Sequence, residues 1–100
     1  MATTSKVLAR QAAAVTSATL YTVPASTTTV VSNIAVTNTA ASAATFDLSL
    51  NNIQLFNDTA VAANATVFVD LKQVLTATQT IKGLASAITV NFHISGVEIA

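Results

Sequence analysis

The sequence predicts an all-β fold: a single-domain antiparallel β-sandwich of the immunoglobulin-like or jelly-roll-like kind. Apolar and polar residues alternate with the two-residue period of a strand in several segments. Clusters of Asn, Asp, Ser and Pro separate these segments about every 8 to 15 residues, which is the spacing of short strands joined by turns. The alanine-rich pieces are too short and too often interrupted by Thr and Ser to form stable helices on their own.

The first segment, residues 1–14, precedes the clear strand patterns. It carries Lys6, Leu8 and Arg10 and ends in a short alanine run. We expect it to be either a first strand or an N-terminal arm that reaches a neighbouring subunit. The β-sandwich domain is then expected to cover residues 15–100.

Four later segments have the pattern of strands. Residues 27–38 are rich in β-branched side chains. Val30, Ile34 and Val36 share one parity there, and Val31 and Ala35 share the other, so we expect both faces of this strand to be partly covered. The other three segments each place their apolar residues on one inward face. These residues are Phe46, Leu48 and Leu50; Val67, Val69 and Leu71; and Ile88, Val90, Phe92 and Ile94.

Turn-forming clusters divide the predicted strands. Asn, Asp and Ser bend a chain by bonding their own backbone, and Pro fixes one backbone dihedral. The clusters are Val23–Ser26, Asn38–Ser42, Asn51–Asn52, Asn57–Thr59 and Ala63–Ala65.

Gly96 interrupts the alternation of the last strand. Val97 and Ile99 fall on the face opposite to Ile94. We expect a β-bulge at this glycine, which would return Val97 and Ile99 to the core. The alternative is that the last residues pack on a neighbouring molecule.

Charge is scarce in this chain. Charged residues make up 8% of the 100, against about 25% in an ordinary soluble domain, whereas 52% are hydrophobic. A surface of Ala, Thr, Ser, Asn and Val repels neither itself nor a partner strongly, which is typical of a subunit packed in an assembly. The dispersed cations form no basic patch for nucleic acid. No apolar run approaches the ~20 residues of a membrane-spanning helix, and the lack of cysteine excludes disulfides and thiolate zinc sites.

No pattern indicates catalysis, a cofactor or a metal site. His93 is the single histidine, lacks the spaced partners of a triad or a metal site, and is expected to be a surface or interface imidazole. The acidic residues are isolated from one another and form no paired-carboxylate motif. They are Asp47, Asp58, Asp70 and Glu98. With only two glycines there is no phosphate-binding loop, so we expect a non-enzymatic protein without a cofactor.

Two aromatic side chains are the better candidates for binding. Tyr21 and Phe68 each point away from the aliphatic face of their segment, and aromatic residues anchor interfaces. The opposite sheet of a sandwich could equally cover either one. The candidate interface residues are Lys6, Leu8, Arg10, Tyr21, Phe68 and His93.

The segment Leu20-Tyr21-Thr22-Val23-Pro24-Ala25 leads into the long strand of residues 27–38, which ends in Thr37-Asn38. This pattern resembles a loose group of small all-β virion proteins from tailed bacteriophages. Residues 61–71 and the closing strand around residues 95–99 resemble the same group. The resemblance covers nearly the whole chain from about Val7 and involves no catalytic motif.

The resemblance implies a capsid decoration (cement) subunit in the virion, on the capsid surface. It implies a homo-oligomer, a trimer, whose partners are the major capsid protein or other virion proteins. The alternative is a neck, tail or fibre module that binds a receptor or a glycan. The low charge agrees with the decoration role, because such a surface can be buried without desolvating many charges. Neither nucleic acid nor a membrane is expected as a partner.

Overall fold

Two four-stranded antiparallel sheets pack face to face in the computed structural model, which describes residues 2–100. The strands are β1 (Thr3–Ala12), β2 (Ala18–Thr22), β3 (Thr28–Asn38), β4 (Ala44–Leu50), β5 (Ile53–Val61), β6 (Thr66–Leu75), β7 (Thr80–Ala85) and β8 (Val90–Ile99). The prediction of a single-domain, all-β antiparallel sandwich is confirmed. The described residues include no helix long and apolar enough to cross a membrane.

The strand order is that of a jelly roll. The first sheet has the order β1-β8-β3-β6, and the second sheet has the order β2-β7-β4-β5. Only β4 and β5 are neighbours both in the chain and in a sheet. Eight strands arranged as two Greek keys in two sheets define the jelly roll, so of the two sandwich types that the sequence left open, this is the one present.

Inward-facing apolar residues from both sheets form the core. As predicted, Phe46 and Leu48 of β4 and Phe92 and Ile94 of β8 are fully buried. The Phe46 ring lies edge-on to Phe92, with 6.1 Å between ring centroids. This contact joins the middle of the second sheet to the middle of the first.

Ile88, predicted to face inward, is 70% exposed. Strand β8 begins two residues later, at Val90. The backbone N–H of Val90 donates to the Ala87 carbonyl at 3.3 Å, so Ile88 belongs to the turn between β7 and β8. Alternation alone did not reveal this boundary, because Ile88 keeps the parity of the strand.

A bulge in β3 changes which valine faces the core. The register of β3 against both its neighbours shifts between Val31 and Asn33. Val31 is therefore fully buried and Val30 is only half-buried, although Val30 shares the sequence parity of the buried Ile34. The bulge therefore places Val31 on the same inward face as Ile34, although the two residues differ in sequence parity.

The bulge expected at Gly96 lies instead in the two strands beside it. The β1 register shifts at Leu8 and the β3 register shifts at Ser32, while Gly96 continues the inward alternation of β8 and is buried. A Cβ atom at Gly96 would lie 2.2 Å from the Val30 carbonyl oxygen. The glycine is therefore required because the bulged β3 backbone approaches β8 too closely for any side chain.

Replacing Gly96 by alanine is expected to lower the free energy of unfolding by about 3 kcal/mol, because the clash is with backbone that cannot move aside. Gly83→Ala is the matched control. There the nearest atom to the added Cβ is Leu48 Cδ2, at 2.8 Å, the end of a side chain that can rotate. Urea unfolding of both variants measures the difference, and equal losses would contradict the role given to the Val30 backbone.

The turn clusters are confirmed with one exception. Asn51 and Asn52 have φ angles of 52° and 62° and form the two-residue hairpin between β4 and β5, as type I′ turns require. Asn57–Thr59, predicted as a turn, lies inside β5 as a bulge with Asp58 at a φ of 48°. The reason is a side chain of the neighbouring strand: the Asp58 N–H donates to Asp47 Oδ1 at 2.6 Å and holds the extra residue.

The first segment forms an edge strand of the sandwich. β1 pairs with β8 from Thr3–Ile99 to Ala12–Asn91. Leu8 and Ala9 are both buried at the bulge and contribute to the core. Thr3–Ala12 is thus a strand of the first sheet.

Candidate functional surface

We call the outer face of the first sheet the neutral face, because most of its outward side chains are uncharged. Phe68 is 74% exposed and Val74 is 61% exposed on this face. The charged residues on it are Arg10, Asp70 and Lys72. Its uncharged outward side chains include Ser5, Val7, Ala12, Val30, Asn33, Ala35, Thr37, Thr66, Phe68, Val74, Asn91, His93, Ser95 and Val97.

Strand pairing brings three of the predicted interface residues into one row across the neutral face. Arg10 of β1 lies opposite His93 of β8, His93 lies opposite Ala35 of β3, and Ala35 lies opposite Phe68 of β6. The Arg10 Nε–H donates to His93 Nδ1 at 3.3 Å.

Two other predicted interface residues meet at one end of the sandwich. The Tyr21 hydroxyl donates to Glu98 Oε2, and Lys6 Nζ lies 3.4 Å from Glu98 Oε1. The Thr29 hydroxyl lies 2.9 Å from the Tyr21 oxygen. Because Tyr21 belongs to the second sheet and the other three to the first, this Glu98 cluster fastens the two sheets together.

Leu8, also predicted at an interface, lies in the core of the chain. Its side chain is 7% exposed, because the β1 bulge turns both Leu8 and Ala9 inward. Leu8 is therefore a packing residue of the sandwich and not part of an outward surface.

The Glu98 cluster changes the ionisation of two of its members. Burial, and then the hydrogen bond to Glu98, raise the pKa of Tyr21 to about 12 from an ordinary 10.0. The hydrogen bond from Tyr21 lowers the pKa of the Glu98 carboxyl, and Lys6 acts in the same direction. The cluster is thus most stable with Tyr21 neutral and Glu98 charged.

Tyr21 is the only tyrosine, so ultraviolet absorbance reports its ionisation alone. We expect it to titrate at a pH near 12 in the folded protein, and Glu98→Gln to lower that midpoint.

The lowered pKa of Glu98 stabilises the folded protein at pH values above the pKa that this carboxyl has in the unfolded chain. This stability is lost as the pH falls through the pKa of Glu98 in the folded protein. Chemical unfolding between neutral and acidic pH tests this. An equally steep acid loss in Glu98→Gln would contradict it.

The second sheet has a more polar outer face. Asp47, Ser49, Gln54 and Lys82 surround a shallow depression of about 80 Å³. Asp47 Oδ2 accepts a hydrogen bond from Gln54 Nε2 at 3.1 Å, and Asp47 Oδ1 already holds the β5 bulge. These groups satisfy one another. Among residues 2–100 there is no group of three or more His, Asp or Glu side chains that could hold a metal ion.

Sequence reasoning identified Phe68 but missed the other half of its surface. Asp70, Lys72 and Val74 share the parity of Phe68 and lie on the same side of β6. The inward aliphatic residues Val67, Val69 and Leu71 were the available signal, since they leave the even-numbered positions of β6 outward. The valines of β1 and β3 carried no comparable signal, because bulges in these two strands set their outward parity.

Comparison with known proteins finds only distant likeness. No protein-family model matches the chain, and no curated protein sequence matches it. Two crystal structures of a pentameric capsid protein isolated from metagenomic phage sequences are similar to it. Each is 19% identical to this chain. The first has a TM-score of 0.38, and the match covers 96% of this chain and 59% of that chain. The second has a TM-score of 0.41, and the match covers 94% of this chain and 66% of that chain.

A third structure, CBM35 from Paenibacillus barcinonensis, is similar to this chain at 8% identity and a TM-score of 0.41, covering 100% of this chain and 99% of that one. The chain spans less than two thirds of the length of the capsid protein chains. At these TM-scores, none of the three likenesses assigns a function or a family to this chain.

Proposed function

We propose that this chain is a non-enzymatic structural protein of a tailed-bacteriophage virion, and that it acts as a decoration (cement) subunit on the capsid surface. The observation that carries the proposal is the neutral face, a sheet surface with exposed Phe68 and Val74 and few charges. The resemblance of the sequence to small phage virion proteins supports it. The jelly-roll topology is compatible with it, since viral capsid and lectin domains use this architecture, although a fold alone does not set a function.

The size of the neutral face suits a protein interface. Four strands spaced ~4.8 Å apart, each about ten residues long at ~3.4 Å per residue, present on the order of 600 Å². A standard interface buries about 800 Å² on each partner, so this face supplies most of one. A subunit that binds only the assembled lattice stabilises that lattice by mass action.

Self-association is part of the proposal. The chain is proposed to form a homo-oligomer before or during binding to the major capsid protein or another virion protein. A trimer is the number that the sequence resemblance implies. Light scattering of the purified protein measures this number directly.

Quantitative mass spectrometry of purified particles tests the virion role. A copy number close to that of the major capsid protein is the expected result for a cement subunit. A handful of copies per particle would contradict the cement role and favour the neck, tail or fibre. Complete absence from particles would overturn the virion assignment.

Phe68→Asp tests whether the neutral face makes the contact. The substitution places a carboxylate within the proposed interface, where it would be desolvated, and we expect particle binding to fall at least tenfold. Ile88→Asp is the matched control, because Ile88 is 70% exposed but lies in the turn between β7 and β8. Equal losses in the two variants would remove the neutral face from the proposal.

A receptor- or glycan-binding module of the neck, tail or fibre is the second candidate function. One observation favours it: Phe68 is 74% exposed beside Asn33 and Asp70, whose side chains are joined by a 3.3 Å hydrogen bond. An exposed ring next to amide and carboxylate groups can stack on a sugar and bond its hydroxyls. Binding to a glycan array that disappears in Phe68→Ala would support this function, and an array without any binding would contradict it.

A further inference from the structure

The first sheet bends where its strands shift register. At this point β8 advances by one residue while β3 advances by two, from Val31 to Asn33. Over the same stretch of β3, β6 advances by three residues, from Asp70 to Gln73. Strands of unequal length can stay paired at both ends of such a stretch only if the sheet curves, and a bulge bends the strand that carries it. The backbone path therefore lengthens from β8 to the β6 edge.

A depression lies at this bend. It has a volume of about 530 Å³ and is lined by Ser32 of β3 and by Asp70, Leu71 and Lys72 of β6. Small-molecule sites in proteins have volumes of about 300–1,000 Å³. Because a bulge leaves its extra residue outside the regular ladder, backbone N–H and C=O groups are available to a ligand here as well as side chains.

The two charged side chains of the depression are not paired with one another. The only ion pair among residues 2–100 joins Lys6 to Glu98. Asp70 is held instead by Asn33, whose Nδ2 donates to Asp70 Oδ1 at 3.3 Å. This bond leaves Asp70 Oδ2 as an acceptor and the Lys72 ammonium as a donor for a bound molecule.

Two further groups extend the chemistry of the depression. The Ser32 hydroxyl donates to the Ser95 carbonyl at 3.3 Å, so its oxygen can accept a hydrogen bond from a ligand. The largely exposed Phe68 lies on the same side of β6 as Asp70, about 7 Å away along the strand. An aromatic ring thus stands beside a depression that contains both donors and acceptors.

We propose that this depression binds an uncharged oligosaccharide. One sugar ring stacks on Phe68, and hydroxyls of the next ring donate to Asp70 and accept from Lys72. The inference rests on the second candidate function, glycan binding, and adds to it the position of the site and the class of sugar.

One acid beside one base favours an uncharged ligand. A hydroxyl group donates one hydrogen bond and accepts others, so it suits both a carboxylate and an ammonium group. An acidic sugar would meet the Asp70 carboxylate and a basic sugar would meet the Lys72 ammonium, and contact between like charges is unfavourable. The apolar C–H face of a sugar ring fits an exposed aromatic side chain.

An array of uncharged and acidic glycans, probed with the full chain, tests the proposal. We expect uncharged glycans to bind, and Asp70→Asn and Lys72→Gln each to weaken that binding about tenfold, because each removes a hydrogen bond to a charged group. The two substitutions change the net charge in opposite directions, so a loss in both excludes a long-range charge effect. Asp58→Asn and Lys82→Gln are the matched controls, because they make the same changes in β5 and β7, outside the depression.

The results that would overturn the proposal separate it from the function on which it rests. If Phe68→Ala abolishes glycan binding but Asp70→Asn and Lys72→Gln do not weaken it, the glycan-binding function stands and the depression is not its site. A loss in only one of these two variants, or equal losses in the controls, would also remove the depression. Binding confined to acidic glycans would contradict the class of sugar alone. No binding to any glycan would remove both the site and the function.

Discussion

Replacing Asn38 by aspartate is expected to destabilise the protein strongly at neutral pH. Asn38 ends β3 and is fully buried. Its Nδ2 donates to the carbonyls of Ser42, Val61 and Ala62 at 2.8, 3.3 and 3.4 Å. Its Oδ1 accepts from the Ala40 N–H at 3.1 Å and from the Thr89 hydroxyl at 3.4 Å. One amide thus holds together the connections β3–β4, β5–β6 and β7–β8.

Aspartate has the same shape but has no donor for those three carbonyls. A buried carboxylate would face carbonyl oxygens, and we expect a loss of about 3–5 kcal/mol. That is a large part of the stability of a typical domain, about 5–15 kcal/mol. The pKa of the new carboxyl is raised by burial, so Asn38→Asp should become more stable as the pH falls, until the carboxyl is protonated.

Urea unfolding at neutral and mildly acidic pH measures both effects. Asn91→Asp is the control, because Asn91 is a half-buried residue on the neutral face. We expect that substitution to change stability by less than about 1 kcal/mol. A folded Asn38→Asp protein with wild-type stability at neutral pH would contradict the role given to the Asn38 amide.

Deleting residues 1–14 is the second change with a large expected effect. The sequence alone allowed an arm whose loss would leave the sandwich folded and weaken only assembly. In the structure, the deletion removes β1, uncovers one edge of β8 and takes Leu8, Ala9 and Ala13 out of the core. It also removes the bonds of Ala13 N–H to the Val90 carbonyl, 2.7 Å, and of Ala85 N–H to the Ala14 carbonyl, 3.0 Å.

We therefore expect the truncated chain to be unfolded or aggregated, because its loss of apolar burial and of a full strand ladder exceeds a typical margin of stability. Circular dichroism and proton–nitrogen NMR spectra decide between the two outcomes. A synthetic peptide of residues 1–14 should restore the folded spectrum by occupying the β1 position. A truncated chain that is folded without the peptide would restore the arm interpretation.

Leu8→Ala and Val7→Ala test the core packing of β1 without removing the strand. Leu8 is buried, and its truncation should cost about 2–3 kcal/mol, whereas Val7 is exposed on the neutral face and should cost little. Thermal unfolding compares the two variants. Equal costs would indicate that β1 is not packed as a core strand.

The sequence by itself determined which side chains could share a face. The alternation of Phe46 with Leu48, of Val67 with Val69, and of Phe92 with Ile94 predicted the inward faces, and the same rule placed Phe68 on the face opposite to Val67 and Val69. A two-residue period is a local property of an extended backbone, so it can be read from neighbouring residues alone.

Only the tertiary structure decided the register and what depends on it. The bulges opposite Gly96, and the bulge that replaces the turn expected at Asn57–Thr59, arise from contacts with strands distant in sequence. The same pairing places Arg10, His93 and Phe68 in one row, makes the buried Asn38 a common anchor for three connections and distinguishes a jelly roll from an immunoglobulin-like sandwich. Alternation assigns a residue to a face, but which strand lies beside it is set by the packing of the whole chain.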